Sequence, residues 1–114
     1  MTKLQTTSAE YAEQLATQLR KGFLAYCVLR VCLHEPKYTS DIITTLHRAE
    51  LVVVEGTIYP LLSRLQKDGL LTHAWRESEQ GPPRKYYQIT DYGQEVVEIV
   101  GKKIIALNAT LKKL

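Results

Sequence analysis

The sequence predicts a mainly α (α+β) fold in which four helices accompany a single β-hairpin. Three observations lead to this prediction. Apolar residues recur at helical spacing in several segments, and two runs rich in β-branched and aromatic residues flank the turn-forming stretch SEQGPP. The end of the chain then repeats apolar residues at alternating steps of three and four. A length of 114 residues suits one domain.

The composition is that of an ordinary globular protein with a mild excess of positive charge. Hydrophobic residues make up 45% of the chain and charged residues 24%, and the formal net charge is +3. The excess is largest in residues 56–90, where five basic residues accompany three acidic ones. This positive charge favours a polyanionic partner, but charge alone does not identify a nucleic-acid-binding protein.

The cysteines and the hydropathy suit a reducing cytoplasm. Cys27 and Cys32 are five residues apart, so on a helix they point about 140° apart and cannot form a disulfide with each other. The first twenty residues are rich in polar residues, which predicts no signal peptide. The longest apolar run, FLAYCVLRVCL, has 11 residues and contains Arg30, so we expect no membrane span.

The N-terminal part predicts a helix followed by a buried helical run. Residues 1–8 carry no pattern, and Ser8 is expected to cap the helix. Gly22 either breaks this helix or only dents it. The run FLAYCVLRVCL is apolar nearly all round, which predicts a central buried helix that ends before Pro36. The apolar side of the first helix comprises Tyr11, Leu15 and Leu19.

A second helix and a short strand are expected next. Thr39 or Ser40 is expected to cap the second helix, with the carboxylate of Asp41 in its first turn. The four residues LVVV at 51–54 are a β-branched run and predict a brief strand. The inner face of the second helix comprises Ile42, Ile43, Leu46 and Ala49.

The stretch GTIYPLLSRLQKDGLL, residues 56–71, predicts a third helix. Its start is expected near Glu55 or Gly56, because Pro60 is tolerated in the first turn of a helix. Gly69 is expected to follow its C-cap. The apolar face at i, i+3, i+4 and i+7 consists of Ile58, Leu61, Leu62 and Leu65.

A hairpin and a long helix complete the chain. Segments 70–77 and 84–90 predict two strands, with SEQGPP as their loop. Thr90 is expected to cap a final helix with Asp91 in its first turn. Such a helix of some 23 residues is about 35 Å long, too long for the small body before it to cover, so a partner helix is expected. Its apolar seam consists of Val97, Val100, Ile104, Leu107, Leu111 and Leu114.

Motifs typical of enzymes and of metal sites are missing from the sequence. His34-Glu35 lacks the second histidine of H-E-x-x-H, the cysteines lack zinc spacing, and there is no nucleophile elbow or phosphate-binding glycine loop. We therefore expect no catalysis, no cofactor and no metal.

The order of the elements predicts a winged helix-turn-helix with a long C-terminal dimerisation helix. In that fold the third helix lies in the major groove of DNA. Gly56 and Thr57 would admit a phosphate at the helix N-terminus, and the outward-facing Ser63 and Arg64 would meet base edges. Each position also fits an ordinary solvated residue, and Tyr59 fits packing as well as phosphate contact.

The hairpin after the third helix makes the fold a winged helix, with the hairpin loop as the wing and the basic start of the second strand beside it. Arg84 and Lys85 would grip phosphate or enter the minor groove, and the alternative is a charged strand start without a partner. Two other functions remain open. A winged-helix module that binds proteins would show an exposed apolar patch beyond the dimer seam. An RNA-binding variant would need stacking aromatics, for which Tyr86 is the obvious candidate.

Two long motifs in this order also carry a family resemblance. GTIYPLLSRLQKDGLL, then AW, then GPPRKYYQITDYG closely resembles the PadR family of bacterial transcriptional regulators. The family pattern reads roughly G-T-L-Y-P-x-L-x-R-L-E-x-x-G-L-I, followed by a wing with G-x-x-R-K-x-Y-x-L-T-x-x-G. The match covers about residues 19–93. The chain departs from the family at the second helix, where YTSD stands in place of a Gly-Tyr pair.

The resemblance implies a homodimeric repressor that binds double-stranded DNA. In the family the N-terminal segment and the C-terminal helix build the dimer interface, and a small-molecule inducer or a stress signal often releases the protein from DNA. The short final helix resembles that of a compact subgroup. Some relatives bind flat aromatic drugs between tryptophans of this helix, and no tryptophan occurs there in this chain.

The expected organisation is a DNA-binding part in residues 1–90 and a dimerisation helix in residues 91–114. A dimer would read a palindromic operator. The expected DNA-contacting residues are Thr39, Ser40, Gly56, Thr57, Tyr59, Pro60, Ser63, Arg64, Lys67, Arg84 and Lys85. The expected dimer-interface residues are Tyr11, Leu15, Val97, Val100, Ile104, Leu107, Leu111 and Leu114.

Overall fold

The computed structural model describes residues 5–114, which form four α-helices and a three-stranded antiparallel sheet. Residues 1–4, for which no pattern was expected, lie outside the described residues. The mainly α fold class with a hairpin and a long last helix is confirmed. The elements are α1 (Ser8–Val31), β1 (Lys37–Tyr38), α2 (Thr39–Arg48), α3 (Glu55–Lys67), β2 (Leu71–Ser78), β3 (Gly81–Ile89), α4 (Asp91–Thr110) and a final 3-10 turn (Leu111–Lys113).

The hydrophobic core lies where the second half of α1 meets α2, α3, the inner face of the sheet and the first turns of α4. Its four α3 residues are those that the apolar spacing predicted. No polar or charged side chain within residues 5–114 is buried, so apolar contacts alone form this core. Burial raises the pKa of the Cys32 thiol to about 12, which keeps it neutral. The most enclosed large side chains are Val28, Cys32, Ile42, Ile58, Leu62 and Leu71.

Helix α1 runs through Gly22 without a break and joins both predicted N-terminal helical segments. Its cap is Thr7, whose Oγ1 accepts a hydrogen bond from the Glu10 N–H at 3.1 Å, and not the expected Ser8. Residues 8–23 of this helix are exposed apart from Ala16, so the first half of α1 extends beyond the core.

Helix α2 begins directly after β1, with Tyr38 as its N-cap, so the expected caps Thr39 and Ser40 are wrong. The reason is that the two residues of β1 pair with β3, which leaves Tyr38 at the boundary between strand and helix. Asp41 lies in the first turn as expected, and its carboxylate accepts from the Tyr38 N–H at 3.5 Å.

The link between α2 and α3 is not the predicted strand. Residues 51–54 belong to no sheet, and the third strand is β1, which pairs with Tyr86 and Tyr87 of β3. Leu51 and Val53 form a half-buried face of the link, and their neighbours Val52 and Val54 are exposed. That face packs on the core without a neighbouring strand, because the Leu51 N–H is already bonded to the α2 carbonyl of Leu46 at 2.8 Å.

Helix α3 begins at Glu55 as predicted, but Pro60 is its sixth residue and therefore lies beyond the first turn. The proline removes the N–H that would bond the carbonyl of Gly56. Both residues are exposed, so solvent can reach this carbonyl and the helix tolerates the missing bond. After the helix, Gly69 adopts φ 82°, the left-handed conformation expected of a residue that follows a C-cap.

The hairpin has a longer second strand and a shorter turn than predicted, whereas its first strand keeps the predicted length of eight residues. Only Glu79 and Gln80 separate β2 from β3, whereas the expected loop had six residues. The order of strands is β1-β3-β2, and Leu71 pairs with Ile89 at the base of the hairpin. Near the tip the register is irregular between Arg76 and Ser78, opposite the two prolines of β3, which have no N–H to donate.

The start of α4 is bound to the junction between α3 and β2. Thr90 caps α4 as predicted: its Oγ1 accepts from the Gly93 N–H at 3.0 Å and donates to the Gly69 carbonyl at 2.6 Å. The Leu70 carbonyl accepts from the Thr90 N–H at 3.1 Å. A Cβ on Gly93 would lie 2.3 Å from the Leu70 oxygen and 2.7 Å from Cγ1 of Ile89. Glycine is therefore required here for close approach.

We expect Gly93→Ala to lower the free energy of unfolding by about 1–3 kcal/mol, because the added methyl group forces backbone and core atoms apart. Urea denaturation monitored by circular dichroism measures this change. The matched control is Gly56→Ala in α3, where nothing lies within 4 Å of the new Cβ. The control should change the free energy by about 1 kcal/mol or less. A Gly93→Ala protein as stable as the control would contradict the close contact.

Candidate nucleic-acid interface

The exposed side of α3 carries most of the residues that the sequence assigned to DNA. At 100° per residue, Gly56, Pro60, Ser63 and Lys67 lie opposite the buried stripe, and all four are exposed. The face is polar and its first turn has small side chains. Such a surface admits another backbone closely, as a helix in a DNA groove requires.

Tyr59 lies on the side of α3 that faces the wing, the hairpin formed by β2 and β3. It is 49% exposed and lines an open cleft of about 450 Å³ between the start of α2, the start of α3 and the hairpin. The cleft brings together five of the expected contacts. Its lining residues are Tyr38, Thr39, Ser40, Glu55, Tyr59, Trp75, Arg84, Lys85 and Tyr87.

The two wing cations lie against aromatic rings on opposite faces of β3. The Arg84 guanidinium lies 4.9 Å from the ring centre of Tyr38, and the Lys85 ammonium lies 5.3 Å from that of Tyr87. The same cleft holds Glu55 as its one lining carboxylate, so positive charge prevails. An anion at this cleft would meet cations whose orientation the rings already restrict.

Lys37, the next cation along the sheet, is engaged with a neighbour. Its Nζ lies 2.6 Å from Oε1 of Glu35. This hydrogen bond lowers the pKa of the Glu35 carboxyl and raises the pKa of the Lys37 ammonium. The pair is therefore compensated, unlike Arg84 and Lys85.

Arg64 lies on the other side of α3, toward α1. It lines a cleft with Asp68 of the helix end and Tyr26 of α1, although its side chain is exposed. Thr57 likewise lines a groove against α1. The expected base-reading residues thus divide between the outermost face of α3 and its α1 side.

Two aromatic and basic residues of β2 belong to this region but were not among the expected contacts. Trp75 lies beside the cleft and is 64% exposed. Arg76, which follows it, is also exposed. The alternation of side chains along β2 could have shown from the sequence that Trp75 and Arg76 lie on opposite faces of the strand. Which β3 residue lies opposite each of them depends on the two-residue turn.

A second surface is apolar and lies between α1 and α4. The groove has a volume of about 610 Å³ and is lined by Leu19, Arg20, Gly22, Phe23, Val100, Ile104 and Leu107. Leu19 and Phe23 continue the i, i+4 stripe of Tyr11 and Leu15, and this spacing could have identified them from sequence. Val97 differs from the rest of the seam because it is 6% exposed and lies in the core of its own chain.

Comparison with known proteins shows which family the chain belongs to. The family model described as Transcriptional regulator PadR-like family matches residues 28–99. The chain belongs to the PadR-like family. This PadR-like chain is 47% identical to a PadR-like transcription factor from Bacteroides fragilis of known structure, with a TM-score of 0.76, covering 88% of this chain and 97% of that one.

Two further crystal structures have the same fold. A PadR-like transcriptional regulator from Bacillus cereus is 37% identical, with a TM-score of 0.75 and coverage of 84% and 94% of the two chains. A PadR-family regulator from Eggerthella lenta is 30% identical, with a TM-score of 0.81 and coverage of 92% of each. The present chain therefore has the winged-helix fold of the PadR-like family of transcriptional regulators.

The described part of this PadR-like chain contains neither a helix suited to span a membrane nor a cluster of side chains suited to bind a metal ion. Within residues 5–114, no helix combines the length and hydropathy that crossing a bilayer requires. Over the same residues, no three side chains of histidine, cysteine, aspartate or glutamate are grouped so that they could hold a metal ion.

Proposed function

We propose that this protein is a sequence-specific DNA-binding repressor that acts as a homodimer on a palindromic operator. The observation that carries the proposal is the cleft beside α3, where two ring-stacked cations of the wing face the exposed first turn of the recognition helix. Cations held beside an exposed polar helix suit a phosphate backbone next to a groove. Both cysteines are free, which suits action in a reducing cytoplasm.

Contacts to phosphate would come from three elements around the cleft. Thr39 and Ser40 lie at the start of α2, where N–H groups and the helix dipole favour an anion. Arg84 and Lys85 supply positive charge from the wing. Gly56 lets a phosphate approach the start of α3. These contacts would place the protein on the duplex without reading its sequence.

Base contacts would come from the exposed faces of α3. Ser63 and Lys67 lie opposite the core, and Arg64 lies toward α1. Arginine pairs with guanine through two hydrogen bonds, so Arg64 is the strongest candidate for a base preference.

A second copy of the chain is the proposed occupant of the groove between α1 and α4. Several apolar side chains remain exposed there, and Leu19 and Leu107 are 74% and 70% exposed. Covering such a surface with the same surface of a second chain yields a self-complementary twofold dimer. The twofold axis would place two α3 helices about 34 Å apart on successive major grooves.

Selection of bound sites from random DNA at a stated salt concentration tests the whole proposal. We expect enrichment of a palindrome whose half-sites are centred about 10 base pairs apart. If no sequence is enriched and the protein shows no salt-dependent binding to DNA, a winged-helix module that binds proteins would be favoured instead. Release by a small-molecule inducer stays a prediction, and the selected operator would provide the assay for it.

We expect Arg64→Ala to weaken operator binding by about 1–3 kcal/mol and to relax preference at one base pair of each half-site, because the paired hydrogen bonds to a base are removed. Electrophoretic mobility shifts on operators with single base changes measure both effects. The control is Arg48→Ala, an exposed arginine in the last turn of α2 that lines none of the clefts above. Unchanged base preference in Arg64→Ala would remove this residue from sequence reading.

We expect Ile104→Asp to convert the dimer into monomers and to abolish operator binding, because a carboxylate would be buried in the groove. Sedimentation velocity measures the mass directly. The matched control is Ile105→Asp, since the neighbouring isoleucine is 72% exposed and does not line the groove. A dimer that survives Ile104→Asp, or that dissociates equally in the control, would exclude the groove as the interface.

A further inference from the structure

The outer face of the wing carries two arginines directly opposite each other. Arg76 of β2 pairs in register with Arg84 of β3, and both side chains are exposed. Lys85, which follows Arg84, points to the opposite face of β3, where it lies against Tyr87, because side chains alternate along a strand. The outer face therefore presents a pair of cations of its own.

Each of these arginines stacks on a tyrosine of the neighbouring strand. The Arg76 guanidinium lies 4.7 Å from the ring centre of Tyr86, and the Arg84 guanidinium lies 4.9 Å from that of Tyr38. The two rings are themselves 5.4 Å apart, centre to centre. Since Tyr38 and Tyr86 pair in register, each arginine leans diagonally across one strand in the same direction. The four side chains form one continuous layer.

This layer holds uncompensated charge. The ion pairs within the described residues join Arg20 to Glu13 and Lys37 to Glu35, and neither involves Arg76 or Arg84. Like charges directly opposite in an antiparallel pair are destabilising. Contact with the tyrosine rings offsets part of this cost. The N–H edges remain available to an acceptor with negative charge.

We propose that Arg76 and Arg84 together bind one backbone phosphate of the DNA that flanks the proposed half-site. The inference rests on the proposed function and adds Arg76, which no motif identified, as a second wing cation. A phosphate between the two guanidinium groups would relieve their repulsion, and its oxygens accept the paired N–H donors of arginine. Phosphate is favoured over a base because both arginines belong to the wing and not to the helix that is proposed to enter the major groove.

The test compares Arg76→Gln with the wild-type dimer on the selected operator over a range of salt concentrations. We expect the dissociation constant at low salt to rise about tenfold per site. We expect the slope of log affinity against log salt concentration to fall by up to about 0.9 per site, because Arg84 alone neutralises the shared phosphate less completely than the pair does. The change should be the same on every DNA sequence, since phosphate carries no sequence information.

The matched control is Arg30→Gln. Arg30 is also an exposed arginine beside a tyrosine ring, 5.8 Å from the ring centre of Tyr26, but it lies on α1 rather than on the wing. This substitution removes the same charge and the same kind of stacking, and its salt slope should equal that of the wild type. The double variant Arg76→Gln/Arg84→Gln should raise the dissociation constant by less than the product of the single effects, because both arginines act on one phosphate.

Stability separates this function from a structural role. The urea midpoint of Arg76→Gln without DNA should equal or exceed that of the wild type, because a like-charge pair is removed. A lower midpoint with an unchanged salt slope would make the layer purely structural and would overturn the proposal. Fully multiplicative single effects would overturn the shared phosphate. If the wild type itself binds no DNA, the proposed function fails, which is a different result from an unchanged slope.

A free phosphate ion could bind to the same two arginines, and a titration with inorganic phosphate tests this alternative. Titrated into protein without DNA and followed by nuclear magnetic resonance, it should give no saturable shift of the Arg76 and Tyr86 signals at millimolar concentration. Saturable binding that disappears in Arg76→Gln, combined with an unchanged DNA salt slope, would assign the pair to a free anion and would overturn the DNA contact.

Discussion

The backbone at Leu70 is the point on which the arrangement of the molecule depends. Its carbonyl accepts from both the N–H and the hydroxyl of Thr90, and Gly93 approaches it so closely that no side chain fits between them. Leu70 lies three residues after α3 ends and one residue before β2 begins. A single contact therefore joins the end of α3, the base of the wing and the start of α4, and it restricts their relative orientation.

This frame separates two surfaces of different chemistry. The cleft between α3 and the wing is basic and aromatic, and the groove between α1 and α4 is apolar. The core is small, so it covers only the second half of α1 and the first turns of α4, and the remaining turns keep their apolar side chains exposed. In the proposed dimer the rigid start of α4 would transmit the geometry of the apolar interface to the spacing of the two α3 helices.

The wing shows how a sheet can hold cations in place without acidic partners. The guanidinium groups of the two arginines and the ammonium group of Lys85 each lie against a tyrosine ring, so cation–π contacts take the place of ion pairs. A carboxylate in the same position would restrain each cation as well, but it would also neutralise the charge that the proposed phosphate contacts need. Stacked cations keep their full charge and lose less conformational freedom when a phosphate is bound.

The sequence by itself determined the helices, the hairpin, the family and most of the exposed polar face of α3, because these depend on contacts within a few residues of one another. Helical spacing, the Thr90 cap and the Gly69 turn are local signals of this kind.

The tertiary structure decided what depends on distant neighbours. It made Lys37–Tyr38 the third strand instead of residues 51–54, because a β-branched run indicates a preference for extended backbone without showing whether another strand lies beside it. It placed Val97 in the core of its own chain, since a seam at regular spacing does not reveal where the body of the protein ends. It also brought Arg76 opposite Arg84, because cross-strand pairing depends on the exact length of a turn that composition leaves open.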